Sequence, residues 1–191
     1  MNPVGFIVKV QPSQAALSLA EVKGFLHHDF VDDDDQLTAE IGSAQAKIEA
    51  YLKRKLITQT LTLVSDCFGA VALLPAGPVQ SVSEVRYKDS TGSLVTLSSS
   101  LWQASTQIEP ARLMPAYGQT WPTLGSYPEA VEVDVVVGYG DEPSDVPADI
   151  RYALRLAVAT AFEKALENDE STGAQLEKRL RDMLAHRILH I

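Results

Sequence analysis

WPTLGSYPEAVEVDVVVGYGDEPSDVPADIRYALRLAVATAF, residues 121–162, decides the fold. Ala130–Gly138 alternates Val131, Val133, Val135 and Val137 against Glu132, Asp134 and Val136, the period of a half-buried strand. Gly138-Tyr139-Gly140 is a turn. Asp145-Val146-Pro147-Ala148-Asp149 opens a helix, since proline suits a first turn, where its missing N–H has no partner to lose. Asp149 adds a carboxylate at the positive end of the helix dipole. The helix predicted to follow runs to about Glu167. Ile150, Leu154, Ala157, Val158, Ala161, Phe162 and Ala165 form one stripe, and Ala153, Leu156, Ala159 and Leu166 widen it beyond one face. A helix apolar on most sides is surrounded. A neighbouring subunit can supply part of that cover, which makes Leu156 and Leu166 candidate protein-interface residues.

Upstream, residues 57–120 carry the same strand character. Thr58–Val64, Val71–Leu74, Val79–Lys88, Leu94–Leu97, Leu101–Ser105 and Ile108–Pro115 read as short strands. Asp89-Ser90-Thr91-Gly92 is a hairpin turn. Many short strands at close spacing suggest a small antiparallel barrel or sandwich.

Helical spacing returns at both ends. Ser18-Leu19-Ala20-Glu21 matches a capping box and starts a helix running to about His28. A second helix, from about Asp33 to Lys55, carries Leu37, Ile41, Ala44, Ile48, Tyr51, Leu52 and Leu56 at steps of three and four. Lys53-Arg54-Lys55 is read in its last turn, where cations suit the dipole, with contact to phosphate as the other reading of such a basic run. Val4–Val10, ahead of Pro12, is an arm able to pair as an edge strand. After the polar break at Asn168–Gly173, a fourth helix aligns Leu176, Leu180, Met183, Leu184, Ile188 and Ile191, with Arg179, Arg181 and Arg187 opposite. The expected architecture is α+β: a four-helix core from residues 1–56 and 141–191, with residues 57–140 inserted as a β domain.

The chain has 191 residues and a net charge of −9. Residues 1–60 hold six basic and eight acidic groups, residues 61–143 three and nine, and residues 144–191 seven and eight, so the middle is the acidic part. It lacks the basic patch that tight nucleic-acid binding requires. Cys67 is the only cysteine, so no intrachain disulfide forms. No signal peptide or membrane span is expected.

Candidate chemistry is sparse. Asp29–Asp35 places five aspartates in seven positions. The spacing does not fit an EF-hand loop, and acidic residues before a helix favour its dipole. His186 and His190 stand i, i+4, without a third ligand or an intervening glutamate. Cys67 has no histidine near it in sequence, and no nucleophile elbow or phosphate loop occurs. No catalytic residue, metal or cofactor is assigned. Tyr117, Trp121 and Tyr127 sit in one proline- and glycine-rich loop, which can be a ligand platform, a loop pinned by its aromatics, or a protein contact. They join Leu156 and Leu166 as candidate interface residues.

A set of short segments resembles the tailed-phage head–tail connector family, in its version with a β insertion, also found in gene transfer agents. They are Leu17–Lys23, Asp32–Asp35, Tyr51-Leu52 with Leu56–Thr60, Leu74-Pro75, and Pro78–Val82. Pro110–Leu113, Tyr117–Pro122, Gly138–Gly140, and Val146-Pro147 with Ile150-Arg151 complete the set. Together they span Leu17 to about Asp169, and the segment after Asn168 departs from the family's usual end. The resemblance implies a structural virion protein, not an enzyme. It implies a ring of about twelve subunits docked under the portal, which extends the DNA channel and joins the head to a neck or tail-side stopper protein. The implied location is the head–tail junction, with assembly in the bacterial host cytoplasm, no membrane, and DNA passing without specific binding. Glu129, Glu132 and Asp134, on or beside the polar face of the 130–138 strand, are candidate channel-facing acidic residues expected to be exposed. The competing expectations are a ligand- or carbohydrate-binding module on the β domain and a hydrolase using Cys67 or a carboxylate pair, for which no residue pattern speaks.

Overall fold

A computed structural model describes residues 4–167 and 171–189, with the side chains of residue 70 and of residues 163–177 outside the description. The calls on Leu166, Leu176, His190 and Ile191 therefore fall outside the described side chains. The chain divides into two units: a sheet unit of residues 4–12, 58–138 and Leu189, and a helical unit of residues 13–57 and 139–188.

In the helical unit, α1 (Leu19–Leu26) starts where the sequence predicts. The Ser18 hydroxyl accepts the N–H of Glu21 at 3.2 Å, and His27 ends the helix with φ +52°. α2 (Asp34–Leu52) places Asp34 and Asp35 in its first turn. It stops at Leu52 because Lys53 takes a left-handed conformation, φ +54°. Lys53-Arg54-Lys55 thus lies beyond the helix rather than in its last turn. α3 (Ala148–Glu167) and α4 (Ser171–Leu184) complete the unit. One core holds Val22 of α1, Leu37, Ile41 and Ile48 of α2, Ile150, Leu154, Val158 and Phe162 of α3, and Leu184 of α4. The two helix pairs share this core although the sheet residues separate them in sequence, because none of these stripes can be buried by one pair alone.

The sheet unit contains β1 (Val4–Val10), β2 (Gln59–Ser65), β3 (Val79–Lys88), β4 (Leu94–Thr96) and β7 (Val131–Val137) in one antiparallel sheet, in the order β1-β2-β7-β3-β4. A separate hairpin joins β5 (Trp102–Ser105) to β6 (Arg112–Pro115). The five-stranded sheet is open, with β1 and β4 at its edges, so the described strands do not close into a barrel. Its own core gathers Leu61, Leu63, Val85, Val131, Val133, Val135 and Leu113.

Three details differ from the sequence reading. Residues 4–10 join the sheet rather than the helical domain, because β1 finds its partner in β2. The segment read as a strand at Val71–Leu74 begins on the last residue of a 3-10 turn, Phe68–Val71, and only its Leu73 makes an isolated bridge, to Arg112. Pro75 leaves that segment too short to build a ladder. Third, β7 lies at the centre of the sheet, paired on both sides, which changes the environment of its polar residues.

Candidate functional site

The central position of β7 buries Asp134. Its register sets it against Thr62 of β2 and Glu84 of β3. Its side chain is only 1% exposed. A carboxylate cannot stay charged there without partners, and the sequence supplies them from three strands. Lys9 of edge strand β1 reaches across to one oxygen. Thr62 donates its hydroxyl to the other at 2.7 Å, and Arg86 adds an N–H at 2.9 Å. Burial pushes the Asp134 carboxyl up, but the hydrogen bonds of Lys9 and Thr62 and the charges of Arg86 and Lys9 outweigh it, so the group sits below its usual range.

Arg86 also holds Glu132 at 2.9 Å and Glu84 at 2.7 Å. Burial opposes its charge, yet Asp134, Glu132 and Glu84 together raise its pKa above the ordinary value. Two cations thus face three carboxylates. The expectation that Glu132 and Asp134 stand exposed is therefore corrected: Asp134 is buried, Glu132 is half-buried against Arg86, and the cluster is nearly neutral. Glu129 alone of the three is exposed, with φ +54° and its N–H donated to Asp66 at 2.8 Å. Lys9 and Arg86 were missed in the sequence. The available signal was an arginine amid β-branched residues, matched to an aspartate in the strongest strand.

Tyr117, Trp121 and Tyr127 do not form one platform. Trp121 stacks face to face on Phe68, with centroids 4.3 Å apart and planes 3° apart. Tyr127 packs over Gly92 and Gly125, close enough that a Cβ at Gly125 would meet its ring at 2.6 Å. These two pin the loop to the sheet unit. Tyr117 projects fully into solvent beside Gly118, whose φ is +74°. Leu156 is half-buried on α3.

Two apolar features lie in water. Strand β1 exposes Phe6 (51%), Ile7 (59%), Val8 and Val10, and among the described residues no strand lies beside its outer edge. The loop between α1 and α2 exposes Phe30 and Val31. Edge strands that are both apolar and unpaired invite another chain. A cleft of about 590 Å³ on the sheet's polar face is lined by Lys9, Glu84, Thr96, Ser98, Trp102 and Asp134, among others.

His186 lies 3.3 Å from Asp149, which also takes two hydrogen bonds from Arg187. Among the described residues, no three metal-ligating side chains converge. No described helix is long and apolar enough to cross a membrane.

The described residues form a two-unit α+β fold with exposed apolar surface on β1 and on the loop between α1 and α2. Comparison with solved structures specifies it further. The chain matches a chain from "Neck of empty GTA particle computed with C6 symmetry" at 25% identity and TM-score 0.72, over 83% of this chain and 84% of that one. A chain from "Virion of native gene transfer agent (GTA) particle" matches at 24% identity and TM-score 0.70, over 83% and 84%. A third, from "Neck of native GTA particle computed with C12 symmetry", gives 24% and 0.65 over 81% and 82%. No family model matches the chain, and no curated protein matches it in sequence. The resemblance to head–tail connectors is thus met by neck structures of gene transfer agent particles, and the likeness is to virion neck components, not to enzymes.

Proposed function

We propose that this chain is a structural neck protein of a phage or gene transfer agent particle, acting as a head–tail adaptor. Copies form a ring, of about twelve subunits, beneath the portal. The ring extends the DNA channel and presents its other side to a tail-side stopper protein. The observation that carries this reading is the likeness to a gene transfer agent neck chain over more than four-fifths of both chains. The C6 and C12 symmetries named for the neighbouring particles favour a ring. The place of work is the virion's head–tail junction, after assembly in the host cytoplasm. Tyr117 and Leu156 stay candidate contact residues, and Glu129, the exposed one of the three acidic candidates, stays the candidate to border the DNA path, where it would repel phosphate over about 8–10 Å at physiological salt.

A ligand-binding role for the sheet unit has less support. The ring face of Trp121 is taken by Phe68. In the cleft, Lys9 and Asp134 satisfy each other.

Deletion of the gene in the particle-producing host tests the adaptor reading. Full heads without tails are the expected product. Normal tailed particles from the deletion strain would refute it.

A further inference from the structure

The core face of the sheet ends open at β1. Register aligns Phe6 of β1 with Leu63, Val133 and Val85 on successive strands. The three inner residues of that row are fully buried, while Phe6 is 51% exposed. The neighbouring row repeats this: Leu61 and Val135 are buried, and Val8 at its end is 42% exposed. Ile7 lies on the other face, in register with Thr62 and Asp134, and is 59% exposed. Strand β1 thus shows apolar side chains to water on both faces, and among the described residues nothing pairs with its outer edge.

Edge strands in water are ordinarily blunted by a charge, a proline or a bulge. β1 carries two such devices, and neither protects Val4–Val8. The bulge falls between Val8 and Val10, beyond these residues. Lys9 sends its ammonium across the sheet to Asp134, so its charge is neutralised there rather than held at the edge.

A strand that completes such an edge must be apolar on both faces and free along one side. Among the described strands, β1 itself is the one that qualifies. β4, at the other edge of the sheet, is three residues long. β5 and β6 carry Gln103, Ser105 and Arg112. β1 is also self-complementary. Antiparallel pairing of two copies about Phe6 sets Phe6 opposite Phe6, Val4 opposite Val8 and Gly5 opposite Ile7. No polar side chain is opposed, and an aromatic pair directly opposite is favourable. Val4–Val8 contains no charged side chain, so no like charges meet there although the chain carries −9. The buried rows of the two sheets then run into each other through Phe6.

We propose that free copies of this protein pair through β1, antiparallel about Phe6, and so join two five-stranded sheets into one. The contact uses the same surface on both copies and closes on two. It is therefore not the contact that repeats around the ring proposed above, and it stands independently of that reading.

Sedimentation of the purified chain over a range of concentrations tests it. The wild type should show a reversible equilibrium between one and two copies. Phe6→Lys and Phe6→Glu each set like charges directly opposite and should weaken pairing at least tenfold. Mixing the two variants should restore it as one-to-one pairs, because a contact of residue 6 with itself then sets opposite charges face to face. That rescue also shows that both variants fold. In a Cys67→Ser background, Phe6→Cys should oxidise to a disulfide-linked dimer, since directly opposed residues lie within disulfide reach. Val10→Cys should not, because its two copies would stand roughly 25 Å apart along the strands. A wild type that stays monomeric or grows past two copies overturns the proposal. So does a mixture as weakly paired as its parts, or a Val10→Cys variant that cross-links as readily as Phe6→Cys. None of these results bears on the ring reading, which the deletion strain tests separately.

Discussion

Replacing Arg86 by methionine tests the charge cluster at its centre. Of the three carboxylates that Arg86 holds, Glu84 and Glu132 keep 35% and 25% of their side-chain surface in water and can resolvate. Asp134, at 1%, cannot. Breaking a buried pair by removing one partner costs about 3–5 kcal/mol. Lys9 and Thr62 still hold Asp134 after the change, so we expect the lower end, about 3 kcal/mol. Both tryptophans, Trp102 and Trp121, lie in the sheet unit. Their fluorescence during urea unfolding therefore reports on the affected unit. Adding Asp134→Val should recover most of the loss, because replacing a whole buried ion pair by apolar groups is often close to neutral.

The pH dependence of the same variant follows from the sign of the shift. The folded Asp134 carboxyl lies below its ordinary value, so its contribution is present at neutral pH and is lost as pH falls from about 4 toward the folded value. Without Arg86 the folded pKa moves back up, and that part of the acid sensitivity should flatten. A single-variant cost under about 1 kcal/mol, or a double variant less stable than the single, would refute the account of the cluster.

Further perturbations give separate expectations. Gly125→Ala places a Cβ 2.2 Å from the carbonyl oxygen of Asp89 and should cost about 1–3 kcal/mol by the same urea assay. Trp121→Ala removes the stack on Phe68 and should cost about 2 kcal/mol, below the range for a fully buried tryptophan; limited proteolysis should then cut within residues 116–129. Phe6→Lys with Val8→Lys alters only exposed positions of β1, so stability should stay within about 1 kcal/mol while self-association in sedimentation at high concentration falls. Glu129→Lys should leave the fold intact and slow DNA ejection from particles, and an unchanged ejection rate would turn this residue away from the DNA path.

Much of the fold was legible because period and punctuation agree. The Ser18 cap, the Val131–Val137 alternation, the Asp89–Gly92 turn and the proline before α3 each state a local rule that tertiary packing then keeps. The failures share one cause. Strand alternation shows which residues of β7 share a face, but not that β2 and β3 flank the strand, and flanking buries Asp134. Likewise, Lys9 looks like an exposed charge on an arm until β1 is placed beside β2. Phe30 and Val31 were hidden inside an aspartate run read only for metal binding or helix polarity. The end of α2 was misread because the left-handed turn at Lys53 is made by a residue that rarely takes it.

Imaging the head–tail junction of particles that contain this protein tests the central claim most directly. The adaptor account predicts density of this two-unit fold in a closed ring directly beneath the portal, about twelve copies around the DNA path. Particles whose portal contacts the tail-side components with no such ring between them would contradict it.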